Sequence, residues 1–308
     1  MLRQEVATQA LELPAARPGL GFAGTVAAYV SLTKPRIISL LLVTTLPAMI
    51  VANGGMPSYG LVLATLVGGA LAAAGANAIN CYLDRDIDEL MARTRERPLP
   101  AGAIEPEQAL IFGVTLGIVA FALLATWANA LAALLAMAAL AFYVLVYTVW
   151  LKRSSPQNIV IGGAAGAIPP LVGWAAVTGG LGWSAFLLFA IIFLWTPPHF
   201  WALALRYRGD YARAGVPMLP VVAGERETNR QIVLYSFVLV ATSLVFAPVA
   251  HTGWLYVGSA LALGGGFIWL ALRQWAWPTS RTARLLFLYS LAYLGLLFVA
   301  MGVDGLIF

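Results

Sequence analysis

Residues 61–82 read LVLATLVGGALAAAGANAINCY, a run that contains no charged side chain. A helix needs roughly 20 mostly apolar residues to cross the hydrocarbon core of a bilayer, and this run is long enough. Comparable runs recur on both sides of it along the chain. The sequence therefore predicts an all-α, polytopic membrane protein built as a bundle of transmembrane helices.

The composition of the whole chain agrees with this fold class. Of its 308 residues, 61% are hydrophobic and 10% are charged, and the mean hydropathy is +0.86. A soluble protein of this size needs roughly 25% charged residues to cover its surface, so lipid must cover this one. The net charge of +5 does not indicate a nucleic-acid partner, because the basic residues lie between the apolar runs. Cys81 is the one cysteine, which excludes an internal disulfide.

The distribution of charge predicts the number of spans and their orientation. We expect nine transmembrane helices, near residues 36–53, 61–82, 109–127, 130–151, 159–178, 184–205, 231–250, 255–272 and 285–303. With this number, all 18 Lys and Arg residues fall on one side. The positive-inside rule then places the N-terminus in the cytoplasm and the C-terminus outside, with a bacterial inner (plasma) membrane as the simplest location. We expect residues 1–30 to be a loosely ordered cytoplasmic tail and residues 31–308 to form a single transmembrane domain.

The first cluster of polar residues lies at the end of the second predicted helix. Asn80, Asp84 and Asp88 are spaced i, i+4, i+8, which places them on one helical face. Such stacked carboxylates repel one another unless a positive charge lies among them. Mg²⁺ is the natural candidate, since it takes oxygen ligands, one or two carboxylates and substrate phosphates. The alternative is an acidic helix end, solvated at the membrane interface and balanced by nearby arginines.

A second cluster follows the sixth predicted helix, where Arg206, Asp210 and Tyr211 precede Gly215 and Pro217. Both clusters lie in long connections on the predicted cytoplasmic side, at about 83–108 and 206–230, and long connections in compact bundles commonly carry function. Two facing acidic sites surrounded by arginine suit a diphosphate bridged to Mg²⁺. A purely structural membrane subunit would not need them.

These motifs resemble those of the intramembrane prenyltransferases, which prenylate quinone precursors, chlorophyllide and haem. The spacing of Asn80, Asp84 and Asp88 resembles the family's first aspartate motif, and residues 206–228 resemble the second. Arg206 departs from the pattern, because relatives often have an acid there. Further segments are more particular to the haem-farnesylating branch, notably residues 195–201 (WTPPHFW) and 210–220 (DYARAGVPMLP). The likeness runs from about residue 27 to 303.

The resemblance implies transfer of a farnesyl group from farnesyl diphosphate to a vinyl group of haem B (protohaem IX), with addition of water, and Mg²⁺ as cofactor. It also implies roles for individual residues. The candidate catalytic residues are Asp84, Asp88 and Asp210. The candidate metal ligands are Asn80, Asp84, Asp88 and Asp210. The candidate substrate-binding residues are Lys34, Arg36, Asn80, Arg93, Arg97, Tyr147, Lys152, His199, Arg206 and Tyr211. The family's pathway also suggests a haem-delivering protein or a haem A synthase as a partner.

Several of these residues also have simpler interpretations. His199 is predicted inside an apolar helix, where it either contacts haem, at the iron or a propionate, or bonds a neighbouring backbone group. Lys34 and Arg36 have two interpretations: they contact haem propionates or phosphate, or they only anchor the first helix at the membrane interface. Tyr147 holds a carbocation by its ring face or is an ordinary packing residue.

Two other functions compete with haem farnesylation. One is prenylation of a quinone precursor or a chlorophyll-type ring, for which we would expect an acid at position 206. The other is an ion transporter. Two observations argue against it: the acids lie at the membrane edge rather than mid-membrane, and no inverted repeat is apparent.

Overall fold

The computed structural model describes residues 21–308, and within them every regular element is helical. The α-helices are α1 (Phe22–Thr33), α2 (Pro35–Asn53), α3 (Tyr59–Leu83), α4 (Arg85–Leu90), α5 (Pro106–Trp127), α6 (Ala130–Ala141), α7 (Lys152–Ser154), α8 (Asn158–Ala167), α9 (Pro169–Thr178), α10 (Trp183–Arg206), α11 (Arg208–Arg213), α12 (Leu219–Val222), α13 (Gly224–Ala250), α14 (Trp254–Ala276) and α15 (Ser280–Ile307). A π-helix, Phe142–Leu151, joins α6 to α7.

The number of spans predicted from the sequence is confirmed for the described part of the chain. Nine helical segments between residues 21 and 308 are long and apolar enough to cross a membrane. Two of them are composite: α6, the π-helix and α7 form one span, and α8 with α9 forms another. Because successive spans run in opposite directions, the connections at 84–105, 155–157, 207–223 and 277–279 share one end of the bundle, which we call the charged end.

The sequence-based prediction and the structure differ most at the start of the seventh span and in the predicted N-terminal tail. The seventh span begins at Gly224 rather than near residue 231, since the helix continues through a charged turn that hydropathy does not detect. The expected tail is partly helical, because α1 covers Phe22–Thr33. The remainder of the predicted tail, residues 1–20, lies outside the described residues. Lys34 ends α1 in a left-handed conformation with φ 54°, and Pro35 begins α2 directly after it.

Glycines set the close approach of α3 to α5. A Cβ added to Gly75 would lie 2.6 Å from the carbonyl oxygen of Gly113, and one added to Gly113 would lie 2.7 Å from Cγ1 of Ile79. Small residues at helix contacts are a common solution in membranes, where backbones must approach closely to gain packing energy. This contact holds the second half of α3, and therefore the residues at its end, against a rigid neighbour.

The fifth span shows both the close packing and the break that its glycines and prolines permit. The helix is interrupted at Ile168, where α8 ends and Pro169 begins α9. Before the break, Gly162 contacts the ring of Tyr147, and a Cβ on Gly163 would lie 2.9 Å from Thr196. The start of α8 is thereby held between the π-helix and α10.

The outside of the bundle is apolar. Large side chains such as Leu63, Ile118 and Leu145 are more than half exposed on the surfaces of their helices. Apolar surface this extensive on a single protein requires an apolar environment, which lipid supplies. The protein is therefore a multi-pass membrane protein.

Candidate active site at the charged end

The three residues of the first predicted cluster lie together and are buried. The exposed fractions of Asn80, Asp84 and Asp88 are 3%, 0% and 1%. The helix axis is interrupted here, because α3 ends at Leu83 and Asp84 caps it. Backbone hydrogen bonds nevertheless continue across the interruption, from Asp84 N to Asn80 O (2.9 Å) and from Asp88 N to Asp84 O (2.8 Å). The i, i+4 relation therefore survives, and the three side chains keep a common side.

Asn80 is the centre of a hydrogen-bond network that joins three parts of the chain. Its Nδ2 donates to Asp84 Oδ2 (2.7 Å) and to Thr148 Oγ1 (3.0 Å) on the π-helix. Its Oδ1 accepts from Lys34 Nζ (2.7 Å), which the turn between α1 and α2 directs inward. Burial lowers the pKa of this lysine from its ordinary value.

Each of the two buried carboxylates has a cationic partner. Lys152, at the end of the π-helix, bonds Asp84 Oδ2 and is itself buried. Arg97 donates to Asp88 Oδ2 at 2.7 Å. Both cations come from the predicted substrate-binding set. The interpretation as a solvated acidic helix end does not fit this geometry, because the carboxylates are enclosed.

Asp86 and Glu89 point away from this cluster, and Asp86 shows the contrast most clearly. Its side chain is 60% exposed and pairs with Arg153 at 2.6 Å. The hydrogen bond from Arg153 lowers the pKa of Asp86 to about 2. The alternation of buried and exposed acids along residues 84–88 therefore marks which face of the segment belongs to the site.

The donor set fits Mg²⁺. Asp84 Oδ1 and Asp88 Oδ1 are both buried and have no hydrogen-bond partner among the described residues. A buried carboxylate oxygen without a partner is costly, and a hard cation is a partner that relieves the cost. No group of three or more His, Cys, Asp or Glu side chains surrounds a common point within residues 21–308. The structure therefore does not bring Asp210 together with Asp84 and Asp88. Mg²⁺ usually takes one or two carboxylates and completes its shell with water and phosphate.

The second predicted cluster packs against the first connection, as expected for facing loops. Tyr211 is buried, and its hydroxyl accepts from Arg93 Nη2 at 3.4 Å. Burial raises the pKa of Tyr211. The guanidinium of Arg93 also lies over the ring of Tyr207, 5.4 Å from its centroid. An apolar cluster that includes Ile87 and Met91 from one connection and Tyr211, Val216 and Met218 from the other holds the two together.

Three predicted site residues are not joined to the buried network. Asp210 is paired with Arg213 one turn away on α11, and its side chain is 14% exposed. Arg206 is exposed, lies over the Tyr207 ring at 5.8 Å and forms no ion pair among the described residues. Arg36 is also exposed, and among residues 21–308 it has no ion-pair partner. These side chains lie at the rim of the charged end in this structure.

His199 lies deeper in the bundle, between aromatic rings. Its imidazole is stacked on Trp195 (4.1 Å between ring centroids) and on Phe287 (4.7 Å). Nδ1 lies 2.7 Å from Ser290 Oγ, and that hydroxyl donates to the carbonyl of Phe287 at 2.6 Å. Since the hydroxyl proton is used, Nδ1 carries the proton of the imidazole and Nε2 keeps a lone pair. The partner of His199 is thus a side chain on α15, not a neighbouring backbone group.

The π-helix contributes Thr148, to which the sequence analysis gave no role, beside the aromatic residues Tyr143 and Tyr147. Thr148 donates to the carbonyl of Tyr143 (2.9 Å), five residues earlier, while it accepts from Asn80. Tyr143 and Tyr147 are stacked, 5.3 Å apart. Pi-helices occur often at functional sites, but they leave no periodicity that sequence inspection detects. The proximity of Thr148 to Lys152 along the chain was the only available signal.

Residues 41–299 match the UbiA prenyltransferase family. The chain is 59% identical over 279 residues to the protoheme IX farnesyltransferase of Gloeobacter violaceus, which covers 90% of this chain and 92% of that protein. It is 54% identical over 290 residues to the enzyme of the same name from Frankia alni, covering 91% and 98%. A longer relative of that name from Roseiflexus sp. is 52% identical, and the chain spans 59% of its length.

Solved structures show the same fold. A digeranylgeranylglyceryl phosphate synthase superposes with a TM-score of 0.75 at 20% identity, over 92% of this chain and 99% of that one. A UbiA homologue from Archaeoglobus fulgidus, bound to GPP and Mg²⁺, superposes with a TM-score of 0.69 at 18% identity, over 91% and 99%. The family match and the relatives of 52–59% identity confirm the family resemblance stated from the sequence. The nine-span helical fold and the match over most of its length show that this chain belongs to the UbiA prenyltransferase family.

Proposed function

We propose that this protein transfers the farnesyl group of farnesyl diphosphate to a vinyl group of haem B. The bond between farnesyl C1 and the diphosphate oxygen breaks, and C1 joins the terminal carbon of the vinyl group. Water adds to the other vinyl carbon and loses a proton, so the products are haem O, diphosphate and H⁺. The relatives of highest identity described above carry the name of this activity.

The observation that carries the proposal is the buried pair of carboxylates with a free oxygen each. Asp84 and Asp88 are enclosed and are each bonded to a cation on one oxygen. The other oxygen of each has no hydrogen-bond partner among the described residues, although Arg153 Nη2 lies 3.9 Å from Asp84 Oδ1. This arrangement offers both a place for a divalent cation and a set of positive groups for a diphosphate. When bound, Mg²⁺ neutralises charge on the diphosphate as it leaves.

The cationic side chains have the task of stabilising the leaving group. Ionisation of an allylic diphosphate develops negative charge on the bridging oxygen, and fixed donors around that charge contribute most where water is excluded. Lys152, Lys34 and Arg97 are held in place by Asp84, Asn80 and Asp88, so they need little reorganisation. Arg93, on Tyr211, lies at the junction of the two connections. We assign these four cations to the diphosphate, and we assign Arg206 and Arg36 at the rim to its entry. Asp210, which pairs with Arg213, stays a candidate metal ligand.

The aromatic residues beside the network have the task of keeping the farnesyl cation away from water. Tyr147 packs on Gly162 and stacks on Tyr143, directly along the π-helix from Thr148 and Lys152. Ring faces attract a cation electrostatically, and exclusion of water prevents its premature hydrolysis. We place the haem at the inner side of this region, with His199 presenting Nε2 towards it. Seven residues separate His199 from Arg206, which is roughly 10 Å along the helix.

The charged end is proposed to face the cytoplasm of a bacterial cell, with the protein in the inner membrane. All Lys and Arg residues that the structure describes lie at that end of the spans or in its connections. Basic residues near span ends favour the cytoplasmic side. Farnesyl diphosphate would then enter from the cytoplasmic face, and its tail would lie among the helices. A haem-delivering protein or a haem A synthase is a partner that this location permits.

The test is mass spectrometry of the haem recovered after purified protein is incubated with haem B, farnesyl diphosphate and Mg²⁺. We expect a product heavier than haem B by one farnesyl group and one hydroxyl group. Parallel incubation with an aromatic quinone precursor in place of haem tests the competing function. A folded protein that prenylates the quinone precursor and leaves haem unchanged would overturn the haem assignment.

A further inference from the structure

Asn158 is a buried amide for which the fold provides no partner. Its exposed fraction is 0%, and neither Nδ2 nor Oδ1 has a hydrogen-bond partner among the described residues. Other buried asparagines are satisfied: Asn77 donates to Thr33 O, and Asn80 uses both ends of its amide. A buried polar group without a partner costs about 1–3 kcal/mol, so such a residue in a packed site requires an explanation.

The unpartnered atoms of the molecule are concentrated where Asn158 lies. Within residues 21–308, four of the seven buried side-chain atoms without a hydrogen-bond partner belong to Asp84, Asp88 and Asn158. The first two carry the oxygens that we assign to the metal. Asn158 begins α8, directly after the short connection that follows Lys152 and Arg153. It therefore belongs to the same end of the bundle as the two acids.

The face of α8 that carries Asn158 is turned towards the π-helix. Gly162 is one turn further along that face, and it contacts the ring of Tyr147. Because Cβ atoms on a helix tilt towards its N-terminus, the side chain of Asn158 is directed from that contact towards the charged end. The next residue, Ile159, packs with Met91 and Tyr211 of the two connections. Two neighbours of Asn158 on α8, Gly162 and Ile159, thus contact the π-helix and both of the segments that carry the candidate acids.

We propose that Asn158 is a substrate-positioning residue whose Nδ2 donates a hydrogen bond to an oxygen of the bound diphosphate, while Oδ1 accepts from water bound with it. This inference rests on the proposed function, since it requires a diphosphate at the charged end. A neutral donor suits the position, because Lys152, Lys34 and Arg97 already supply positive charge. The amide adds direction to the binding without a further buried cation to desolvate.

The substitution Asn158→Leu separates this role from a structural one by the sign of its effect on stability. Leucine has the same branched arrangement of four side-chain heavy atoms, and it removes the unsatisfied donor and acceptor together. We expect the thermal midpoint of the ligand-free protein to stay equal or rise. We also expect the dissociation constant for inorganic diphosphate with Mg²⁺, measured by calorimetry in detergent, to rise at least tenfold. The KM for farnesyl diphosphate should rise in parallel, and the KM for haem should not.

A matched control is Thr65→Val, because Thr65 is also fully buried with an unpartnered hydroxyl. It lies on α3, fifteen residues before Asn80 and so roughly 22 Å from it along the helix. Its substitution should leave the thermal midpoint equal or higher and diphosphate binding unchanged. Together the two variants distinguish relief of an unsatisfied group from loss of a ligand contact.

Two results would overturn the inference. One is unchanged diphosphate binding in a folded Asn158→Leu protein, and the other is a lower thermal midpoint of the ligand-free protein, which would indicate a structural role for the amide. If the leucine variant does not fold, Asn158→Ala, which adds no bulk, decides the question by the same two readings. The proposed function is tested separately by the wild-type protein. If wild type binds diphosphate but does not farnesylate haem, the function fails and the role of Asn158 stands.

Discussion

Replacement of Lys152 by methionine tests whether the buried ion pair serves catalysis. The side chain of Lys152 is 11% exposed and that of Asp84 is 0% exposed, so loss of the cation leaves an enclosed carboxylate whose remaining partners are Asn80 at 2.7 Å and Arg153 at 3.9 Å. Breaking one partner of a buried pair costs about 3–5 kcal/mol of stability. Loss of a fixed donor to a developing negative charge lowers kcat by about 10²–10³-fold, or about 2.7–4 kcal/mol.

The adjacent residue supplies the control. Arg153 pairs with Asp86, the two side chains are 39% and 60% exposed, and an exposed pair contributes only about 0–1 kcal/mol. Arg153 Nη2 also lies 3.9 Å from Asp84 Oδ1, which is too far for a hydrogen bond. Arg153→Met should therefore lower the thermal midpoint slightly and change kcat less than about threefold. Both variants are measured by thermal unfolding in detergent and by the rate of haem farnesylation at saturating substrate. If Lys152→Met keeps a kcat within threefold of wild type, the assignment of this cation to the leaving group is wrong.

Three further predictions concern packing, capping and metal dependence. Gly113→Ala should destabilise the fold by about 1–3 kcal/mol, because the new Cβ would lie 2.7 Å from Cγ1 of Ile79. As a control, Gly69→Ala places its Cβ in open space and should not lower the thermal midpoint. Asp304→Ala should lower the free energy of unfolding by about 0.5–2 kcal/mol, because the carboxylate accepts from the backbone N–H of Gly253 (2.6 Å) at the start of α14. The KM for either substrate should not change, since this helix start lies far from the charged end, and a shifted KM would contradict this. EDTA should abolish farnesylation and Mg²⁺ should restore it, as followed by mass spectrometry of the haem; full activity in EDTA would contradict the assignment of the free carboxylate oxygens.

The spans could be predicted because the bilayer imposes one simple requirement on each of them. Roughly 20 apolar residues in a row are needed whatever the neighbours are, so hydropathy located all nine. Hydropathy did not locate the charged first turns of α13, because a helix outside the membrane does not need an apolar run. The start of α1 was missed for a related reason: it is a 12-residue helix, too short to span.

The site was predictable in so far as it depends on local spacing. The i, i+4, i+8 pattern of Asn80, Asp84 and Asp88 placed them on one side, and the capping of α3 by Asp84 did not disturb it. Pairings over long distances along the chain, such as Lys152 with Asp84, depend on tertiary contacts and could be expected only through the family resemblance. The π-helix and the unpartnered amide of Asn158 had no sequence signal, since both arise from how α8 packs on its neighbours.

The most direct test of the central claim compares two aspartates that are two residues apart. Asp84 is enclosed with one free oxygen, and Asp86 is 60% exposed and paired with Arg153. We predict that Asp84→Asn lowers haem farnesylation by at least about 100-fold, while Asp86→Asn stays within about threefold of wild type. Equal activity of the two variants, or a greater loss from Asp86→Asn, would contradict the claim that the buried face of residues 80–88 binds the Mg²⁺–diphosphate.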